Sequence, residues 1–152
     1  CADAVKGSLY LDDVKVGDSF RSGEHALDEQ QIIDFASSFD PQRFHLSDAA
    51  ARESLFKGLA ASGWHTASIT MRLLVESLPL ADGVIGAGVE LSWPRPTRPE
   101  DILHAESTIL DIRPSRSKPD QAIATIETLT LNQNGEVVQR MLSKNVLFKR
   151  RG

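Results

Sequence analysis

An acid and an imidazole stand five residues apart in the run Phe39-Asp40-Pro41-Gln42-Arg43-Phe44-His45-Leu46. A carboxylate can accept a proton from water, and a histidine can take or give one near neutral pH. Pro41 and the polar residues between them predict a defined turn rather than a continuing helix, and loops held by rigid elements are common places for catalytic groups. The same residues admit a plainer reading, in which Asp40 caps the following turn and His45 packs. A second segment runs from Gly58 through Leu59-Ala60-Ala61-Ser62 to Gly63 and into a long apolar stretch. A helix beginning there presents unpaired backbone N–H groups and partial positive charge. Such a terminus suits a carbonyl oxygen whose negative charge grows during a reaction. Gly63 would let a ligand come close to the backbone. Capping by Ser62 and close helix–sheet packing explain the same residues without a ligand. His25, His65 and His104 show no metal spacing with a Cys or acid partner and are read as structural, so no metal site is expected.

The elements that must position these groups follow from periodicity. Leu9 to Gly17 has mixed periodicity and is expected along the surface, after a loose lead over residues 1–8. Ser19 to Leu27 reads as a first strand. Asp28 is a helix cap with Gln31 in the capping-box position. Ile32, Phe35, Ala36 and Phe39 then recur at helical spacing, and Pro41 predicts that this helix stops near Phe39. A short helix is expected over Ser47 to Phe56 with Ser47 as its cap. A longer one is expected from Trp64 to Leu78, ended by Pro79. The long helix is apolar over most of its circumference, with His65, Ser68, Arg72 and Glu76 as its polar residues, and so is expected to be mostly buried.

Val89, Leu91 and Trp93 alternate with Glu90 and Ser92, the period of a strand. Ile102 to Ile112, Ala122 to Leu131 and Glu136 to Phe148 read as long strands, the last two joined by an Asn134-Gly135 hairpin. Pro94, Pro96 and Pro99 mark a rigid connection. Helices segregated from a run of antiparallel strands imply an α+β fold. A sheet large enough to wrap one long helix implies a hot-dog arrangement.

The run Ser38 to Ala51 resembles the motif of MaoC-like hydratases, in which Asp and His are five apart with proline in the turn. Leu55 to Thr66 is similar to that family's small-residue turn into its central helix, and Ser92-Trp93-Pro94-Arg95-Pro96-Thr97 stands where the family has a strand ending in an Arg-Pro turn. The resemblance covers Leu11 to Phe148. It implies a single hot-dog domain over residues 1–152 that hydrates an enoyl thioester, or dehydrates a 3-hydroxyacyl thioester. Asp40 and His45 would share one water. In one division of labour Asp40 takes its proton while His45 orients it and supplies the proton to the α-carbon. Gly63, and more loosely Ser62, would bind the thioester oxygen. Three departures bear on the substrate. Arg43 replaces a proline two positions before the histidine, Ser47 replaces an acid two positions after it, and Ser62 replaces a histidine found in some members.

A coenzyme A or carrier-protein thioester brings phosphates, and arginine suits their geometry. Arg113, Arg116 and Lys118 form one candidate basic cluster, and Arg95 and Arg98 another; each also reads as a solvated loop face. No cofactor beyond the thioester substrate is expected. The 152 residues suit one domain with its own core. The net charge of -4 argues against a nucleic-acid partner, and no apolar run approaches the ~20 residues a membrane span needs. The lone Cys1 gives no internal disulfide, so a cytoplasmic setting is expected. A single hot-dog sheet leaves a face or edge uncovered, which predicts a homodimer or larger homo-oligomer. Two other functions remain open: a hot-dog thioesterase using the same cleft, and a non-catalytic thioester-binding subunit. Ser62 lacks the Gly-x-Ser-x-Gly elbow of a serine hydrolase.

Overall fold

The computed structural model describes residues 9–78, 80 and 85–149. The expected N-terminal lead with Cys1, and the Pro79 helix stop, lie outside these residues. Strand β1 (Ser19–Ala26) comes first, and Asp28 then caps helix α1 (Glu29–Phe39) by accepting the Gln31 N–H at 2.8 Å. With that N–H, the Gln31 side chain also helps to hold the Asp28 carboxyl below its usual pKa. It donates to the Ala26 carbonyl and meets His25 Nε2 at 2.8 Å, tying α1 to β1. The stretch expected along the surface is only partly there. Leu11–Asp13 makes a 3-10 turn, and Val14 is buried with Leu74, Leu78, Ile126 and Leu147.

An unexpected single turn, α2 (Arg43–Leu46), comes next, and the short helix expected over Ser47 to Phe56 is α3 (Asp48–Arg52), which ends four residues early. Ser47 does cap α3, through the Ala50 N–H. The chain then leaves helical geometry, and Lys57 takes a left-handed conformation with φ of 56°. Helix α4 (Gly63–Ser77) follows from its Ser62 cap.

Strands β2 (Ile85–Ser92), β3 (Ile102–Pro114), β4 (Gln121–Leu131) and β5 (Val137–Phe148) complete the fold. The five strands pair antiparallel in the order β1-β3-β4-β5-β2. Gly135, at φ 75°, closes the β4–β5 hairpin where Asn134-Gly135 predicts it. Alternation is strict in β4, where Ala122, Ala124, Ile126, Thr128 and Thr130 point inward. Helix α4 lies across β1 and β3 and buries Ile69, Leu73 and Leu74. The architecture is the expected α+β, an antiparallel sheet carrying one long helix.

That helix is less enclosed than its apolar circumference predicts. Trp64, Met71 and Val75 are 59%, 41% and 41% exposed, because five strands in one sheet cover only one side of it. Edge strand β2 is exposed along nearly its whole length. The interior also contains a polar seam. Thr70 of α4 bonds Thr130 of β4, Gln139 of β5 donates to Thr70 at 3.1 Å, and Ser107 meets Thr128 at 3.0 Å. Each hydroxyl or amide finds a partner, as burial of a polar group requires.

Helices α1 and α4 meet where the His65 ring stacks on Phe35 at 4.6 Å. His65 Nδ1 is buried without a hydrogen-bond partner among the described residues. Burial, and then the nearby His25, lower the His65 pKa from 6.5 to about 4. The unfolded chain therefore binds a proton that the folded chain refuses between those values, and stability falls as pH drops from about 6.5 to 4. Replacing His65 with Leu is expected to flatten this limb. Thermal denaturation at pH 7 and at pH 4.5 checks it, and an unchanged slope would remove His65 as the cause.

Candidate active site

Asp40 ends α1. Its N–H still bonds the Ala36 carbonyl, but its φ of -153° and ψ of 68° are no longer helical, as expected for a residue preceding proline. The Gln42 N–H returns to the Asp40 carbonyl at 2.7 Å, a tight turn centred on Pro41. The single turn of α2 follows and carries His45 inward, where it is 4% exposed beside the rings of Phe44 and Phe56. A helix end, a three-residue turn and one helical turn thus account for the spacing of the pair.

The two side chains meet. His45 Nε2 lies 3.4 Å from Asp40 Oδ2. His45 Nδ1 lies 2.6 Å from the Ala60 carbonyl. A carbonyl can only accept, so Nδ1 carries the hydrogen. In the neutral ring Nε2 is then an unprotonated acceptor facing the carboxylate. Asp40 is held on both oxygens. Gln42 Nε2 donates to Oδ1 at 2.6 Å, and Ser62 Oγ donates to Oδ2 at 2.7 Å. Burial works to raise the Asp40 pKa, but the hydrogen bonds from Ser62 and Gln42, with His45 nearby, outweigh it and hold the carboxyl below its usual value. Two acceptors, Nε2 and Oδ2, thus lie close enough to hold the two hydrogens of one water.

A cleft of about 310 Å³ opens on His45. Its walls include His45, Phe56, Gly63, Thr66, Trp93 and Arg95. Gly63 is the first residue of α4, and its N–H has no hydrogen-bond partner among the described residues. Ser62 is differently engaged. Its one hydroxyl hydrogen goes to Asp40 while its oxygen accepts the Trp64 N–H at 3.3 Å. As placed, Ser62 serves the carboxylate and the helix start, and its hydroxyl hydrogen is not turned to the cleft.

The basic residues separate. Arg95 reaches the cleft, with its guanidinium 3.1 Å from Glu136. Arg113, next to last in β3, lies 3.8 Å from Asp111, and Arg116 and Lys118 follow in the β3–β4 connection. Along β4, Ala122, which pairs with Pro114 just before that connection, is eight residues from Thr130, beside which Gln139 bonds Trp93, or about 26 Å at ~3.3 Å per residue. Within one chain these three do not gather with Asp40 and His45. Arg98, grouped with Arg95 by sequence, turns inward to the carbonyls of Phe56, Gly58 and Leu59. It clasps the loop that presents Ala60 to His45 and is not free for a phosphate. Arg43 is exposed. Gln42, the Ala60 carbonyl and the Arg98 clasp are the parts that sequence reasoning missed. An amide two residues after the acid was the one visible signal among them.

The model of the MaoC like domain family matches residues 13–131. YdeM, an uncharacterized protein of Bacillus subtilis (strain 168), is 33% identical over 146 residues, covering 93% of this chain and all of that one. The crystal structure of a MaoC-like dehydratase from Rhodospirillum rubrum superposes with a TM-score of 0.94 at 62% identity, covering 95% of this chain and 100% of that one. The (R)-hydratase from A. caviae involved in PHA biosynthesis superposes with a TM-score of 0.67 at 26% identity, over 90% and 98% of the two chains.

Ser62→Ala would remove a donor from Asp40 and the cap from α4. The Asp40 pKa is expected to rise, because a bond favouring the charged form is lost, and stability is expected to fall by about 1 kcal/mol. Carboxyl-carbon NMR titration and denaturant unfolding measure the two effects. An unmoved Asp40 titration would show that Ser62 does not hold the carboxylate.

Proposed function

The chain belongs to the MaoC-like dehydratase family and takes its hot-dog fold, and on that premise we propose that it adds water reversibly across the double bond of an enoyl thioester, with Asp40 and His45 as the catalytic pair. The observation that carries this reading is the Nδ1–H bond from His45 to Ala60, which points an unprotonated Nε2 at Asp40 Oδ2 across 3.4 Å.

A water donating one hydrogen to each acceptor would present its oxygen to the β-carbon. As the O–C bond forms, His45 Nε2 takes one water proton and the double-bond electrons move toward the thioester carbonyl. The Gly63 N–H supports the oxygen as enolate charge develops, and the positive charge arising on the imidazole faces Asp40. Nε2–H then delivers its proton to the α-carbon, so the atoms of one water are added in full. This division differs from the one the resemblance implies, in which Asp40 takes the water proton. A carboxyl held below its usual pKa is the weaker base. Dehydration is the same path reversed. Arg95 at the cleft is the candidate contact for a phosphate of the coenzyme A or carrier-protein arm.

Loss of crotonyl-CoA absorbance tests the reaction directly. Wild type is expected to hydrate it. Asp40→Asn and His45→Gln are expected to stay folded and lose about 10²–10⁴-fold in rate. Absence of turnover on short, long and branched enoyl thioesters, together with release of free thiol, would favour a thioesterase.

We also propose that the chain works as a homodimer joined along β2 and the outer side of α4. An unpaired edge strand invites pairing, and Trp64, Met71, Val75, Ile85 and Val89 expose 41–60% of their surfaces there. A two-fold axis would let this face cover itself. Sedimentation at micromolar concentration is expected to show a dimer, and Val89→Asp a shift toward monomer. A wild-type monomer would end this proposal.

A further inference from the structure

The neutral ring of His45 has one hydrogen and two acceptors that compete for it. The Ala60 carbonyl faces Nδ1 at 2.6 Å, and the Asp40 carboxylate faces Nε2 at 3.4 Å. Of the two, the carboxylate is the stronger acceptor. Without the carbonyl, the ring would turn its hydrogen to Nε2 and to Asp40. In that tautomer Nε2 already carries a hydrogen and cannot take one from water. The state of the histidine therefore rests with the loop that carries Ala60.

That loop has an unfavourable shape and is gripped to keep it. Lys57, at φ 56°, is in the left-handed region that residues with a side chain adopt rarely. The carbonyls on either side of it, of Phe56 and Gly58, meet one guanidinium together with that of Leu59. Arg98 Nη2 donates to Phe56, and Nη1 donates to Gly58 at 2.8 Å and to Leu59 at 3.3 Å. Three carbonyls brought together this way each need a donor. A planar fork of N–H groups supplies all three, and a single compact ammonium matches them poorly. The next peptide unit is held by the neighbour of Arg98. The Ala60 C=O and the Ala61 N–H belong to one rigid trans peptide and point opposite ways. The N–H donates to the Thr97 carbonyl at 2.8 Å while the C=O accepts from His45. Arg98 is anchored in turn, because Asp101 Oδ2 accepts its backbone N–H at 2.8 Å.

We propose that Arg98 is a positioning residue for His45, whose grip on Phe56, Gly58 and Leu59 holds the Ala60 carbonyl at Nδ1 and so keeps Nε2 free to act as a base. Its effect on rate rests on the hydratase reading above, whereas its effect on the ring does not. Arg98 is not among the residues that line the cleft. Its loss is therefore felt in kcat and little in KM. An arginine that served stability alone would leave the tautomer of His45 unchanged when removed.

The ring nitrogen chemical shifts of His45, read by NMR on the neutral ring, report which nitrogen carries the hydrogen and need no substrate. Wild type is expected to carry it on Nδ1. Arg98→Ala is expected to move it toward Nε2 and to lower kcat for crotonyl-CoA by about tenfold or more, with KM little changed. Millimolar guanidinium, which fits the place vacated among the three carbonyls, is expected to restore both the tautomer and the rate. Arg98→Lys keeps the charge without the fork, is expected to fall between, and carries the test if Arg98→Ala does not fold. A folded variant whose ring keeps its hydrogen on Nδ1 overturns the proposal, and leaves the hydratase reading intact if wild type hydrates crotonyl-CoA. A wild-type ring with its hydrogen on Nε2 overturns the proposal and also the part given to Nε2 in the reaction. A tautomer that shifts without loss of rate, or in a protein that turns over no enoyl thioester, supports the grip of Arg98 and overturns the part given to Nε2. Failure of both variants to fold assigns Arg98 to the fold as a whole and overturns the proposal.

Discussion

One hydrogen bond sets the chemistry of the cleft: the Ala60 carbonyl accepts the Nδ1 hydrogen of His45. An imidazole free to choose its tautomer would present either a donor or an acceptor to Asp40. Here the neutral ring presents an acceptor. The loop bearing Ala60 is fixed in turn by contacts that have no chemistry of their own. Arg98 gathers the carbonyls of Phe56, Gly58 and Leu59, and Asp48 accepts the Leu59 N–H at 3.0 Å. The Ala61 N–H bonds the Thr97 carbonyl at 2.8 Å, and the Ala60 N–H bonds Phe44 O at 3.4 Å. The histidine is oriented by backbone, and the backbone is oriented by charge. The carboxylate depends on side chains instead: Gln42 from its own turn and Ser62 from the helix start.

The interior beneath the site is built to a different rule from an apolar core. Leu74, Ile109 and Ile126 fill one region and Ile32, Leu73 and Leu103 another. Threonines and Gln139 of the polar seam join helix to sheet. Thr66 and Thr97 make a further link, 3.0 Å apart, between α4 and the proline-rich connection. Apolar packing supplies most of the favourable free energy of a core but is not directional. Hydrogen bonds in a water-poor interior fix register and angle. For a helix whose first residue is proposed to touch the reacting group, fixed register matters more than added apolar area.

Much of this was legible in the sequence, and the reasons are local. Strict alternation from Ala122 to Leu131 reflects one buried and one outward face, and the observed strand has those bounds to within one residue. The caps at Asp28, Ser47 and Ser62 were readable because a capping side chain acts within three residues of itself. The pair at Asp40 and His45 was readable because a turn proline separates its members and the whole motif is contiguous. Contacts between distant segments were not readable. Nothing around Arg98 distinguishes a guanidinium that clasps a loop from one that waits for a phosphate. The exposure of α4 was missed because an apolar stripe shows that a surface needs cover without showing what covers it. The one-turn helix carrying His45 was missed because four residues are too few to display a period.

The residues of the proposed chemistry and the residues that shape the cleft come from separate stretches of chain. Asp40, Gln42, His45, Ala60, Ser62 and Gly63 fall in one continuous passage. Trp93, Pro94, Arg95 and Pro96 belong to a connection on the far side of β2. The two passages touch through the Arg98 guanidinium on the carbonyls of Phe56, Gly58 and Leu59, through backbone at Ala61 and Thr97, and across the glycine that faces Trp93. Change at Trp93 or Arg95 would therefore reshape the cleft wall and leave the passage from Asp40 to Gly63 as it is, whereas change at Arg98 would reach His45 through the loop it holds.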